Sequence, residues 1–208
     1  MATNYDRIAR IYDSLSRIVF GNYIIKAQVS LLQYIAPESQ ILLVGGGTGW
    51  ILEKLAEHCD TGLNIDYVES SAEMIAISKG KNHGKNKVNF IHLPIEEFAT
   101  GKDYDVIFTP FIFDNFKPEK AIVVFNDLHQ MLKRNGLWLH ADFVYDAQNG
   151  TLWQKLLLKV MYLFFRITSN IETDEIENMG ACFDGKYQKV FEAWYYGQFI
   201  MSTVRRKL

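Results

Sequence analysis

Four glycines in five residues, placed directly after a short apolar run, constrain this chain more than any other feature. In Ile41-Leu42-Leu43-Val44-Gly45-Gly46-Gly47-Thr48-Gly49 the apolar stretch enters the glycines and then leaves into an amphipathic segment. That order reads as strand, loop and helix. Glycine is needed where the backbone turns tightly and where a ligand must approach bare main chain without meeting a Cβ. The helix that follows offers free N–H groups at its start.

From Ile41 onward, short apolar runs alternate with amphipathic segments, the pattern of β-α-β units. The spacing predicts strands near 40–45, 63–68, 87–92, 104–109 and 136–142, with helices near 48–58, 71–79 and 118–133. Right-handed crossovers then give one twisted sheet with helices on both faces. Pro118 suits a first helical turn, and Asn135-Gly136 is expected to stop that helix after Arg134. Ahead of the sheet, residues 5–35 read as two helices. Ile8, Ile11, Tyr12, Leu15 and Ile18 recur at helical spacing, Gly21 and Asn22 break the run, and Ile24, Ala27, Leu31 and Ile35 resume it before Pro37. After Asp142 the expectation is a long apolar helix over 151–167, a short one over 173–179, and two aromatic-rich segments over 186–204 forming a terminal hairpin around Gly197. No repeat or linker divides the chain, so a single domain over 1–208 is expected.

The glycine spacing separates two cofactor classes. A dinucleotide loop requires Gly-x-Gly-x-x-Gly, and counted from Gly45 its third glycine falls on Trp50. An NAD-dependent oxidoreductase is therefore disfavoured. An acid about twenty residues further on accepts bonds from ribose hydroxyls in such folds. Ile65-Asp66-Tyr67-Val68-Glu69-Ser70-Ser71-Ala72-Glu73-Met74 offers Asp66 and Glu69 for that role.

The Gly-x-Gly-x-Gly loop resembles the first motif of class I S-adenosylmethionine-dependent methyltransferases, and Val-Glu-x-Ser-x-x-Met resembles the segment that follows it in the same family. The resemblance selects Glu69 for the ribose, leaves Asp66 inside the strand, and implies a cofactor site built from Gly45, Gly46, Gly47, Gly49, Glu69, Ser70 and Met74, with Ser71 capping the next helix. In Phe90-Ile91-His92-Leu93-Pro94-Ile95, Leu93-Pro94 stands where the family usually places Gly-Asp, so the adenine is expected against Pro94 and the N–H of Ile95. Leu43 likewise stands where many relatives carry an acid. Tyr5-Asp6-Arg7-Ile8-Ala9-Arg10-Ile11-Tyr12-Asp13 followed by Leu15-Ser16 resembles the opening of ubiquinone/menaquinone-biosynthesis C-methyltransferases and their small-molecule relatives. There a helical cap covers the cofactor, which implies Tyr12 near the cofactor carboxylate; Lys26 reads as an ordinary helix face. Tyr104-Asp105-Val106-Ile107-Phe108-Thr109-Pro110-Phe111 is similar to the family's fourth strand and implies Thr109 and Phe111 at the cofactor.

The resemblance spans residues 5 to about 142. It implies an α/β, Rossmann-like seven-stranded mixed sheet, mostly parallel, with a C-terminal antiparallel hairpin, helices on both faces and an N-terminal helical cap. Within the single domain, 1–36 is the cap, 37–145 the cofactor-binding core and 146–208 the acceptor side. The implied donor is S-adenosyl-L-methionine and the implied activity methyl transfer to a small, apolar or aromatic acceptor. A non-catalytic binding protein of the same fold is the alternative, given Leu43 and Pro94. The acceptor is expected between Phe111, Phe113, Asp114, Asn115 and Phe116 on one side and His140, Asp142 and Tyr145 on the other. His140 and Asp142 alternate with Leu139 and Ala141, so both face one side of the sheet and are the candidates for a catalytic base.

Along 151–167, Lys155, Lys159, Tyr162 and Arg166 share one narrow face of an otherwise apolar helix. A pocket cover or a homodimer contact is expected; a peripheral membrane contact on anionic lipid is the sharper alternative. Composition narrows the remaining classes. A net charge of −2 argues against nucleic acid as a partner. No apolar run reaches the roughly 18 residues of a transmembrane segment, and the charged start lacks the apolar core of a secretory signal. Cys59 and Cys182 are far apart and the five histidines show no ligand spacing, so no metal and a reducing, cytoplasmic setting are expected.

Overall fold

The computed structural model describes residue 6 and residues 9–59, 62–145, 151–158 and 179–208. Two helices, α1 (Ala9–Phe20) and α2 (Tyr23–Leu32), precede the sheet. The sheet then alternates with helices: β1 (Gln40–Val44), α3 (Trp50–His58), β2 (Asn64–Glu69), α4 (Ala72–Lys79), β3 (Lys87–His92), β4 (Tyr104–Pro110), α5 (Pro118–Met131) and β5 (Leu132–Phe143). Residues 152–158 are helical (α6), and a short α7 (Gly180–Phe183) leads into β6 (Tyr187–Tyr195) and β7 (Ile200–Lys207). The seven strands lie in the order β3-β2-β1-β4-β5-β7-β6. β1 to β5 pair in parallel, and β7 runs antiparallel between β5 and β6.

The alternation of β1 explains the layering. Ile41 and Leu43 face α2 and α3, where they pack with Leu31, Ile51, Leu55 and Tyr67. Leu42 and Val44 face α5, where they join Ile107, Phe125, Trp138 and Phe183. A strand buried on both faces must be apolar at every position, and β1 is. Reversal of the strand order beside β1 opens a crevice at the carboxyl ends of β1 and β4, the place where ligands bind in open α/β sheets. Helices α1 and α2 lie over it. Phe20 and Ala27 pack with Phe143, Phe199 and Ile200, and the Ser202 hydroxyl donates to the Ala27 carbonyl at 2.8 Å.

Two expected boundaries move. The helix expected over 118–133 ends at Met131, and the strand begins at Leu132 rather than 136. Leu132 already pairs with Tyr104, and the register shifts before Leu137 pairs with Val106. Asn135 takes a left-handed φ of 63° in that bulge. A Cβ on Gly136 would lie 2.8 Å from both the Leu132 side chain and the Lys133 carbonyl. The Asn-Gly pair therefore makes a bulge inside β5, not a helix stop. The helix expected over 151–167 falls among the described residues only to 158, and Lys159, Tyr162 and Arg166 lie outside them. Of the helix expected over 173–179, Met179 alone is described, in a turn. No helix among the described residues is long and apolar enough to cross a membrane.

Candidate functional site

The glycine loop is shaped from below. Gly45, Gly47 and Gly49 have φ of 68°, 60° and 79°, a region that disfavours any side chain. A Cβ at Gly46 would stand 2.3 Å from the ring of Tyr67 on β2, and one at Gly45 2.5 Å from Ile112. A Cβ at Gly49 would meet Ser78 of α4 at 2.5 Å, whereas the space beside Gly47 is open. Thus three glycines permit close packing of the protein on itself, and Gly47 leaves clear backbone toward the crevice. The Tyr67 hydroxyl donates to the Gly47 carbonyl at 2.7 Å. Sequence reasoning missed Tyr67; its only signal is a hydroxyl-bearing ring on β2, two residues before the acid.

Glu69 ends β2 and is 7% exposed. Its carboxylate accepts from the Gly47 N–H at 3.1 Å and from the Ser71 N–H at 3.0 Å. The acid thereby ties the glycine loop to the turn before α4. Burial raises its pKa against the lowering pull of these backbone donors. Ser71 caps α4, accepting from the Met74 N–H at 3.1 Å. Asp66 is instead buried mid-strand, where Lys102 (2.7 Å), Tyr104 (2.8 Å) and Asn89 (2.9 Å) all donate to it. Burial alone would raise its pKa, but those donors together hold it below the usual carboxylate range. Its place is structural.

Two carboxylates of the amino-terminal segment fasten the cap to this frame, and sequence reasoning had assigned neither a partner. Asp6 accepts from the Ser71 hydroxyl and the Glu73 N–H, supplementing the cap of α4. Asp13 accepts from the Thr48 hydroxyl at 2.7 Å, across 35 residues of sequence. Between cap and sheet lies a cavity of about 290 Å³. Of the expected cofactor residues, Tyr12, Gly45, Gly46, Gly47, Glu69, Ser70, Met74, Pro94, Ile95 and Phe111 line it. Gly49 and Thr109 do not. Gly49 packs against α4, and strand alternation turns Thr109 into the core, where it accepts from Trp138 Nε1 at 2.9 Å. Leu43 also points into the core, on the opposite side of β1 from Val44. Lys26 lies over the Tyr23 ring, 5.5 Å from its centroid, and is not part of the wall.

The acceptor side needs the larger revision. His140 and Asp142 do share one face of β5, yet neither lines the cavity. His140 is buried between Phe113 and Phe183, with Nδ1 3.2 Å from the Thr109 hydroxyl. Burial, and then the charge of Arg205, lower its pKa to about 4, so it is neutral at neutral pH. Asp142 accepts from the N–H groups of Phe113 (3.1 Å) and Phe143 (2.9 Å). It thereby holds the 3-10 turn Phe113–Asn115 that presents Asp114 to the cavity. Burial raises Asp142 to about 7 against the backbone donors. Burial and the Asp142 charge raise Asp114 as well. Phe111 enters this turn with φ 55°, a strained value for an aromatic residue, while its N–H donates to the Ala141 carbonyl at 2.7 Å.

Residues 41–136 match a family model described as a methyltransferase domain. Over 107 residues the chain is 36% identical to malonyl-[acyl-carrier protein] O-methyltransferase 2 of Ilyobacter polytropus, covering 51% of this chain and 40% of that protein. It therefore spans less than half the length of that relative. An uncharacterized methyltransferase of Staphylococcus carnosus is 25% identical over 186 residues, covering 86% of this chain and 82% of its own length. Among solved structures, magnesium protoporphyrin IX methyltransferase from Synechocystis PCC 6803 with bound SAH superposes with a TM-score of 0.67 at 15% identity, covering 98% of both chains. At that identity the likeness speaks for the fold.

Proposed function

We propose that this chain is a class I S-adenosylmethionine-dependent methyltransferase, a reading supported by the match of residues 41–136 to a methyltransferase domain, and that it moves the methyl group of S-adenosylmethionine to a small acceptor with an apolar or aromatic body. The observation that carries this reading is the pairing of Gly47 with Glu69. Bare backbone faces the cavity and beside it stands a buried acid, a carboxylate able to accept hydrogen bonds from the ribose hydroxyls of a nucleoside. Met74, Pro94 and Ile95 supply the apolar edge on which an adenine would rest, and Ile95 opens a 3-10 turn whose N-terminus carries no side-chain cap.

When bound, the cofactor supplies an electrophilic methyl group on a sulfonium. The residues of this chain have the tasks of holding, aligning and drying the site. The cap does the last of these: Tyr12, Leu15, Val19 and Phe20 cover the cavity from above. Phe111, Phe116 and Phe143 wall the acceptor side, and the rings of Phe111 and Phe143 are 4.9 Å apart. Asp114 is the titratable group presented to that space, with Asp142 positioning its turn.

Incubation with methyl-labelled S-adenosylmethionine and a panel of aromatic amines, phenols and acids tests the reading by label transfer. Calorimetry with S-adenosylhomocysteine accompanies it. Binding with transfer supports the reading; binding with no transfer to any acceptor class favours the non-catalytic alternative.

A further inference from the structure

The walls of the cavity are one-sided in charge. Among the described residues, Asp13, Glu69, Glu96 and Asp114 line it, and no lysine, arginine or histidine does. Behind Asp114 stands a second acid, Asp142, whose carboxylate is already taken by backbone N–H groups. Lys120, at the edge of the cavity, is already paired with Glu96, so an acceptor carrying a carboxylate or phosphate would meet no uncommitted cation among the described lining residues.

A second, independent observation concerns Gln28. It lies on α2, is 6% exposed and lines the same cavity. Its side-chain amide makes no hydrogen bond to a described residue, yet it is not among the polar atoms sealed from solvent, so it is open toward the cavity it lines. The cap therefore offers one unsatisfied polar group toward a space otherwise bounded by Phe20, Ile24, Phe111 and Phe143.

We propose that the acceptor of this site is an amine on an apolar or aromatic body, its nitrogen received by the Asp114 carboxylate and its remaining polar contact by the Gln28 amide. The inference rests on the methyltransferase reading and names the substrate class for it. The aromatic walls favour a cation over their faces. Burial and Asp142 raise Asp114; a bound cation beside it favours the ionised form against that pressure, and a carboxylate so raised is the stronger base when it accepts a proton from an ammonium group. In that step the N–H bond breaks, the proton passes to an Asp114 oxygen, and the electron pair stays on nitrogen as the lone pair that an acceptor needs.

The test uses the full chain loaded with S-adenosylhomocysteine and three probes of matched shape: 2-phenylethylamine, 2-phenylethanol and 3-phenylpropionate. Calorimetry is expected to give at least tenfold tighter binding of the amine than of either other probe. Asp114→Asn is expected to narrow that preference to within threefold while S-adenosylhomocysteine binding is kept, which also reports that the variant is folded. Gln28→Leu is expected to weaken the amine severalfold. If S-adenosylhomocysteine binds and the amine is no tighter than the alcohol or the acid, the inference is overturned and the methyltransferase reading stands. A wild-type chain that does not bind S-adenosylhomocysteine overturns both.

Discussion

The Asp13 carboxylate accepts a 2.7 Å hydrogen bond from the hydroxyl of Thr48, joining the first helix of the cap to the glycine loop. The segment that covers the cavity is thereby held by the loop it covers. Hydrogen bonds to a charged group contribute roughly 1.5–3 kcal/mol. Either Asp13→Asn or Thr48→Val is expected to weaken S-adenosylhomocysteine binding by about tenfold, and the double variant by little more than either alone. Calorimetry on the three variants checks this. Additive losses would mean that the two residues act separately.

Tyr67 supports the loop from underneath. Its hydroxyl bond to the Gly47 carbonyl is worth about 1 kcal/mol, so Tyr67→Phe is expected to lower stability by about that amount while preserving the fold. Gly46→Ala is the more severe change. Its Cβ would be placed 2.3 Å from the Tyr67 ring, and displacing a buried aromatic costs about 1–3 kcal/mol. The double variant Gly46→Ala with Tyr67→Leu is expected to recover part of the loss, read by urea denaturation. Equal losses with and without the ring would contradict this packing.

These two contacts mark how far the sequence could be read. The loop and the acid were legible because both lie in short motifs whose chemistry depends on spacing, and Ser71 as a helix cap was legible for the same reason. The partners of Asp13 and of the Tyr67 hydroxyl were not, because each is fixed by how separate elements cross. The same holds at the acceptor side. Alternation correctly put His140 and Asp142 on one face of β5, but alternation does not tell a cavity from the core behind its wall. Phe113 and Phe183 fill the space in front of His140, and the 3-10 turn carries Asp114 forward in their place. Helix α5 was read too long because Asn135-Gly136 serves equally as a helix stop or as a bulge.

The buried His140 gives stability a pH dependence of known sign. Its folded pKa of about 4 lies below its ordinary value of 6.5, so the unfolded chain binds a proton first as pH falls. The stabilisation it contributes is complete above about pH 6.5 and is lost toward pH 4. Between pH 7 and pH 5 the wild type is expected to lose about 2 kcal/mol relative to His140→Phe. The difference between the two proteins matters, because the raised Asp114 and Asp142 act in the opposite direction in both. Urea titrations at several pH values supply it, and parallel curves would place a charged or exposed imidazole at position 140.

Glu69 carries the central proposal, since its carboxylate orders the glycine loop and is proposed to receive the ribose hydroxyls of the cofactor. Calorimetric titration of S-adenosylhomocysteine into wild type and Glu69→Gln, with circular dichroism to confirm that both are folded, tests it directly. A single site in the wild type, weakened at least tenfold in the variant, is the expected result. Equal affinity in the two proteins, or no binding to the wild type, would contradict the account.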